Sequence, residues 1–299
     1  MLLILISAIW GSTFVLVKDA LHDVSPLLFN LLRMVIATVV LAAIYHRDLR
    51  RLKRSYLAGG AVVGLCLAAG YSFQTAGLAR TTPAKSAFIT GLIVVIVPLL
   101  CAVPAMRTAS MRRPSLFAFA GAAMAFAGIL LLTTPAHTPW AALFGSINAG
   151  DLLTLLCALG FALHVVALAH ISARLPLGTL AVLQLGFCTL VMSLALPLFE
   201  HPWIHVSRRL VIALLVTGVL ATAVAFTVQS WAQQRLSATH TALILALEPV
   251  FAFLTSFLFY GERLSGRASL GALLILGGIA FTELLPLGAH ATAHEAPVA

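Results

Sequence analysis

Charge is what this sequence has least of. Asp, Glu, Lys and Arg together make up 9% of its 299 residues, where an ordinary soluble domain carries about 25%. That leaves too little polar surface to clothe a water-soluble globule, and the soluble classes are excluded. The nine acidic residues are scattered. They build no His-Glu-x-x-His pair, no group of metal ligands and no nucleophile beside its base. A membrane-embedded enzyme, the alternative of a different class, therefore has no candidate centre. No metal or other cofactor is expected. A GxxxxGK loop is also missing, which argues against direct drive by ATP. Cys66, Cys101, Cys157 and Cys188 all fall in apolar stretches, where they read as small buried side chains and not as disulfides or ligands. The net charge of +9 rests on eighteen basic residues, fifteen of them Arg. Without zinc spacing, a basic helix or an aromatic ladder beside them, nucleic acid is not an expected partner.

What is present is apolar length. Charge-free runs cover residues 55–79, 86–106, 114–150, 152–173, 175–199 and 210–234. A helix of about 20 residues rises roughly 30 Å and crosses a bilayer core. The expected fold class is an all-α membrane protein of ten transmembrane helices, near 1–18, 26–45, 56–78, 84–105, 114–133, 150–171, 177–198, 209–231, 238–260 and 267–285. The opening MLLILISAIWGSTFVLVK is apolar from its first residue and reads as a helix, not as a cleavable signal with a basic start. Tyr45, Tyr56, Trp140, Trp203 and Tyr260 fall near predicted span ends, as an interfacial aromatic belt places them. Asp151 opens the sixth helix, where an acid favours the helix dipole.

The chain also repeats itself. Ser115, Ala118, Gly121, Ala122, Gly128 and Ile129 recur 150 positions later as Ser265, Ala268, Gly271, Ala272, Gly278 and Ile279. Gln74, Arg80, Ala87 and Ile89 recur 155 positions later as Gln229, Arg235, Ala242 and Ile244. Two domains follow: residues 1–133 and 150–285, five helices each, joined by a loop at 134–149 and trailed by a disordered tail at 286–299. Five is odd, so the second copy enters the membrane from the opposite side. Internal symmetry of this kind is characteristic of transporters.

Basic residues test the orientation. With both termini cytoplasmic, first-half inner loops hold Arg47, Arg50, Arg51, Lys53, Arg54, Arg107, Arg112 and Arg113, against Lys18, Arg80 and Lys85 outside. The second half runs the other way, with Arg174 and Arg235 inside against Arg208, Arg209, Arg263 and Arg267 outside. Ten against seven overall favours cytoplasmic termini in a bacterial inner membrane.

The segment ALILALEPVFAFLTSFLFYGERLSGRASLGALLILGGI, residues 242–279, resembles the repeat unit of the EamA family within the drug/metabolite transporter superfamily. AFITGLIVVIVPLLCAVPAM with GAAMAFAGILLL resembles the same unit, and WGSTFVLVK at 10–18 resembles the family's opening helix. The first copy departs from the second. Eight residues separate Ile89 from Pro98 where four separate Ile244 from Pro249, and the first copy lacks the Glu-Pro and Gly-Glu-Arg pairs. In this asymmetry the chain is similar to family members that export amino acids and related metabolites. The resemblance implies ten helices, a central cavity between the repeats and efflux by alternating access. Efflux of drugs or toxic compounds by the same fold is the alternative.

Polar groups near the bilayer midplane are costly, so those present are the substrate-binding candidates. Glu248 sits mid-span before Pro249 and offers either proton coupling or a partner for a substrate ammonium; facilitated diffusion is the alternative to coupling. Its structural reading is a cap on a freed backbone amide or a pair with Arg33. Gln74 and Gln229 carry both donors and acceptors, with Tyr71 on the face of Gln74 and Trp231 following Gln229. Their bland role is interhelical hydrogen bonding. Trp10 and Phe14 have Gly160 and His164 as repeat mates, an asymmetry that would shape a pocket; a lone His in an apolar helix is otherwise a packing residue. Arg33 either binds a substrate carboxylate or snorkels to the interface. Lys85 and His240 read as interfacial anchors or gate residues. Pro98 and Pro249 mark hinges where the fourth and ninth helices bend. An apolar cavity with few polar groups suits neutral or hydrophobic amino acids. The expected partners are that small molecule and the lipid bilayer, with the protein a monomer or weak homodimer.

Overall fold

The chain is seen here as a computed structural model, which describes residues 1–107, 116–133, 147–236, 238–245 and 247–283. Most of the expected loop at 134–149, with Trp140, and the tail at 286–299 lie outside the described residues, as do Arg112 and Arg113 and the side chain of His240. The elements are α1 (Leu2–Ala20), α2 (Pro26–Ile44), the short α3 (His46–Leu49), α4 (Arg54–Leu78), α5 (Pro83–Thr90), α6 (Ile93–Leu100), α7 (Leu116–Thr133), α8 (Ala149–Ile171), α9 (Leu177–Phe199), α10 (Arg208–Leu215), α11 (Ala225–Gln233), α12 (Ala238–Leu245), α13 (Glu248–Tyr260) and α14 (Gly266–Glu283). Each start has a local cause. Proline occupies the first turn of α2 and of α5, where its missing N–H costs nothing. Asn148 and Asp151 form a reciprocal capping box at the start of α8, accepting from each other's backbone N–H groups at 2.9 and 3.1 Å. Gly261, with φ +63°, ends α13 in the left-handed conformation.

Seven helical spans among the described residues are long and apolar enough to cross a bilayer, α5 and α6 together counting as one. Shorter apolar helices lie at Ala123–Leu132, Glu248–Tyr260 and Gly266–Gly278. Their outer faces bear large apolar side chains: Phe199 is 81% exposed, Phe259 76% and Leu198 75%. Faces like these would be unstable against water and are at home against lipid tails. The protein is an all-α, multi-pass membrane protein.

The inner faces pack α4 against α8 and α9, α2 against α9, α1 against α13, and α7 against α14. Met34, Leu67, Leu185 and Met192 anchor the cluster around α2, α4 and α9, while Phe88, Ile89, Ile129 and Ile275 anchor another around α5, α7 and α14.

Three expected helices are not plain. The fourth is broken at Gly91–Leu92 into α5 and α6, and the ninth is broken between α12 and α13. Pro98 stands inside α6, several residues beyond the break. Pro249 stands in the first turn of α13, where proline starts a helix without kinking it. The eighth is wound as a π-helix over Val216–Val224, between α10 and α11. There Thr217 and Thr222 turn their hydroxyls onto the carbonyls of Ala213 and Thr217, at 2.6 and 2.7 Å.

One face of the bundle is fastened by charge. Lys18, near the end of α1, donates to the carbonyls of Leu78, Ala79 and Thr81 at 2.7, 3.2 and 2.9 Å, satisfying the end of α4. Asp19 accepts from the Tyr260 hydroxyl. Lys85 pairs with Asp151 at 3.0 Å. Glu200 accepts from the first backbone amides of α2, Leu27 and Leu28, at 2.9 and 3.0 Å. Asp23 takes a two-pronged contact from Arg209, at 2.8 and 2.7 Å, and another from Ser207, while Val24 bridges to Ile204. At the opposite face the ties are neutral: the Ser172 hydroxyl donates to the Gln233 carbonyl at 3.3 Å, and the Gln234 amide to the Ser172 carbonyl at 3.2 Å.

The bonds from Arg209, then Ser207, hold the Asp23 carboxyl down to about 2 from its ordinary 3.8. A depressed folded value means the contribution is complete above the ordinary aspartate range and is lost progressively as pH falls from there through about 2. Asp23→Asn should therefore lower the melting temperature in detergent at neutral pH. Its gap from the parent should hold constant down to about pH 4; a gap that closes at milder acidity would contradict this assignment.

Candidate functional site

A cavity brings the two halves of the sequence together. From α1 come Trp10, Thr13, Phe14 and Val17, from α2 Arg33, and from α4 Tyr71, Gln74 and Leu78. The break between α5 and α6 adds Thr90, Gly91, Ile93 and Val94; α8 adds Phe161, His164 and Val165; α11 adds Phe226 and Gln229. Leu245 and Glu248 come from the break between α12 and α13. The spacings on α1 and α4 are those of one helical face. The two breaks meet here: a Cβ on Gly91 would lie 2.7 Å from the Pro249 ring. The empty space amounts to about 720 Å³, including where it opens outward.

Phe226 is the hub of the aromatic wall. Trp10, His164 and Tyr71 lie with ring centres 5.3, 5.5 and 5.9 Å from it, and Phe161 meets Tyr71 edge-on at 5.0 Å. The Trp10 indole N–H donates to the Ala221 carbonyl at 2.7 Å. Arg33 is buried, at 3% exposure. Its Nε donates to Thr222 Oγ1 at 2.7 Å, and its Nη2 to the Tyr71 hydroxyl at 3.0 Å and the Ala221 carbonyl at 3.3 Å. The guanidinium lies over the Tyr71 ring, 4.3 Å from its centre. Thus the π-helical turn supplies two of the groups that orient Arg33, a local winding often found at functional sites.

The remaining polar groups divide into satisfied and open. His164 Nε2 faces Gln184 Oε1 at 3.1 Å, and the Gln184 amide donates to Ser230 at 3.0 Å. An amide oxygen only accepts, so Nε2 is the protonated nitrogen. Gln229 donates to Gln233 Oε1 at 3.2 Å, but its own Oε1 is buried with no partner among the described residues. Among the described residues, no ion pair reaches Arg33 or Glu248; those present are Lys85–Asp151 and Arg209–Asp23. The expected pairing of Glu248 with Arg33 is therefore not made in this conformation. No group of three or more His, Cys, Asp or Glu that could hold a metal occurs among the described residues.

Of the residues singled out in the sequence, Trp10, Phe14, Tyr71, Gln74, His164, Gln229 and Glu248 line this cavity. Trp231 does not. Two positions beyond Gln229 is about 200° around a helix, and this turns the indole outward, 39% exposed with Arg235 stacked 4.6 Å from its ring centre. Trp231→Ala should change transport by less than about twofold, measured as initial uptake in liposomes. Pro98 lies off the lining and Pro249 at its edge, against Gly91. Sequence reasoning left Arg33 undecided between cavity and interface, and did not find Phe161, Phe226, Thr222 or Gln184. Phe226 lies three residues before Gln229, a spacing that could have flagged it.

The profile of the EamA-like transporter family matches residues 1–134 and 148–284. The chain belongs to the EamA-like transporter family. Among its relatives, an uncharacterized transporter of Archaeoglobus fulgidus is 32% identical over 282 residues, spanning 94% of this chain and 84% of its own length. The uncharacterized transporter YoaV of Bacillus subtilis is 26% identical over 288 residues, spanning 93% and 94%. A WAT1-related chloroplastic protein of Arabidopsis thaliana is 26% identical over 282 residues, spanning 90% of this chain and 66% of itself. One solved crystal structure shares the fold, with a TM-score of 0.67 at 24% identity over 95% of this chain and 96% of that one. This EamA-like protein is thus a membrane transporter of small molecules and not an enzyme.

Proposed function

We propose that the protein exports neutral or hydrophobic amino acids, or related small metabolites, by alternating access between two inverted five-helix repeats. One observation carries the reading: residues 1–133 and 150–285 both line one cavity, with twelve and seven of its residues, at the point where two broken helices cross. Broken helices at a repeat interface are where secondary transporters bind substrate.

The ten-helix count follows if the three shorter apolar helices span together with the seven long ones. Symmetry of contact supports the inverted pair. A Cβ on Gly128 would meet the Gly271 carbonyl at 2.6 Å, and one on Gly278 the Gly121 carbonyl at 2.5 Å. Under the 150-residue offset, Gly128 becomes Gly278 and Gly271 becomes Gly121, so each contact maps onto the other. In the proposed orientation, termini in the cytoplasm, the charged face is the outer gate and the Ser172–Gln233–Gln234 ties are the inner one, with Pro249 beside the moving breaks and Pro98 farther along α6.

The character of the lining favours an apolar side chain, with Trp10, Tyr71, Phe161 and Phe226 forming an aromatic wall beside few polar groups. Uptake of labelled threonine, methionine and phenylalanine into proteoliposomes tests the reading. Saturable uptake of at least one is expected; none with any of the three would sink the amino-acid assignment.

A further inference from the structure

We infer that the cavity is built for a zwitterion bearing a primary ammonium, its carboxylate on Arg33 and its ammonium on Glu248 and Gln229. The inference rests on the amino-acid reading above and says which groups make it specific.

Among the described residues, Arg33 is a cation without an anion. Its three hydrogen bonds there go to neutral acceptors, the Thr222 hydroxyl, the Tyr71 hydroxyl and the Ala221 carbonyl, and Nη1 makes none. Stacked on Tyr71, it is a fixed fork on the cavity wall rather than a side chain reaching for the interface. A guanidinium buried in a membrane is costly unless an anion meets it, and a planar carboxylate fits its remaining edge. Glu248 is the complementary case. It lines the same cavity, and among the described residues no side chain donates to it or pairs with it. Gln229 Oε1 is a buried acceptor without a donor on that lining. One wall lacks an anion, and the other lacks N–H donors.

A ligand with only a carboxylate leaves Glu248 unmet. A ligand with only an amine leaves Arg33 unmet. A zwitterion answers both, and a primary ammonium answers Glu248 and Gln229 together, having N–H donors that a trimethylammonium lacks. Gln74, Thr90 and His164 line the same space and are neutral partners, so they do not supply the missing charges.

The test is competition against labelled threonine, methionine and phenylalanine in proteoliposomes of the full chain. Each is set against its decarboxylated amine, its deaminated acid and its N-trimethylated form. The parent zwitterion should compete at least about tenfold better than all three derivatives. In Glu248→Gln the deaminated acid should gain on the parent by about tenfold, and in Arg33→Gln the amine should gain instead. A derivative matching its parent within about twofold in the unaltered protein would overturn the zwitterion site and leave amino-acid transport standing. Failure of every compound, parents included, would overturn both.

Discussion

Gly11→Ala is expected to lose most transport activity and to melt earlier in detergent, although it adds one methyl group. Gly11 sits where α1 crosses the start of α13. A Cβ there would lie 2.6 Å from the Glu248 carbonyl oxygen, 2.7 Å from Phe251 Cβ and 2.8 Å from the Ala252 amide nitrogen. Two of these are backbone atoms in the turn that carries Glu248, so no rotamer change relieves the clash. Overpacking of this kind costs about 1–3 kcal/mol, and here the relaxation displaces an acid of the cavity. Gly186→Ala is the control. A Cβ there meets nothing nearer than Thr38 at 4.0 Å, and the change should be neutral or stabilise by about 0.5–1 kcal/mol. Thermal unfolding and initial uptake rates on the two variants check both. Equal behaviour would mean that the α1–α13 contact does not hold the cavity together.

Arg33→Lys should keep the fold and lower uptake by about ten- to a hundredfold, because hydrogen bonds to a charged group are worth about 1.5–3 kcal/mol. Charge is conserved in this change; geometry is not. Lysine is a point charge on a flexible stem and cannot bond Thr222, Tyr71 and Ala221 at once while lying flat on a ring. Nothing would then fix the cation at the cavity wall. Uptake kinetics across substrate concentration, with melting temperature alongside, check this. Near-normal uptake with lysine would mean that a charge suffices and that the π-helical cradle is packing alone.

The sequence was most legible where a residue's role is set by its own helix. Trp10, Phe14, Tyr71 and Gln74 reach the cavity because spacings of three and four define one face. The matched Gly121, Gly128, Gly271 and Gly278 fall at the α7–α14 contact, where only residues without a side chain let backbones approach so closely. Legibility failed where a neighbouring element decides. Val216–Val224 winds as a π-helix, and the groups it presents, Ala221 and Thr222, meet Arg33 on a helix about 190 positions away. The fourth helix breaks at Gly91, against Pro249 of the other half, so Pro98 was the visible marker and the wrong place. Trp231 looked like a companion of Gln229 because both are conspicuous in the string, yet adjacency in sequence separates side chains on a helix. Charge was the hardest to read. The fifteen Arg spread over the chain gave no means of telling that Arg33 is buried while the other described Arg are not.

The central claim is that one cavity serves both sides of the membrane in turn. Thr13 lines it and bonds only to its own helix, donating to the Trp10 carbonyl at 2.7 Å, so a cysteine there should be tolerated. In Thr13→Cys protein with Cys66, Cys101, Cys157 and Cys188 replaced by alanine, a charged thiol reagent is applied to one face of oriented vesicles, then to the other. Alternating access predicts labelling from both faces, slowed by a transported amino acid. Labelling from one face alone, with or without that substrate, would contradict it.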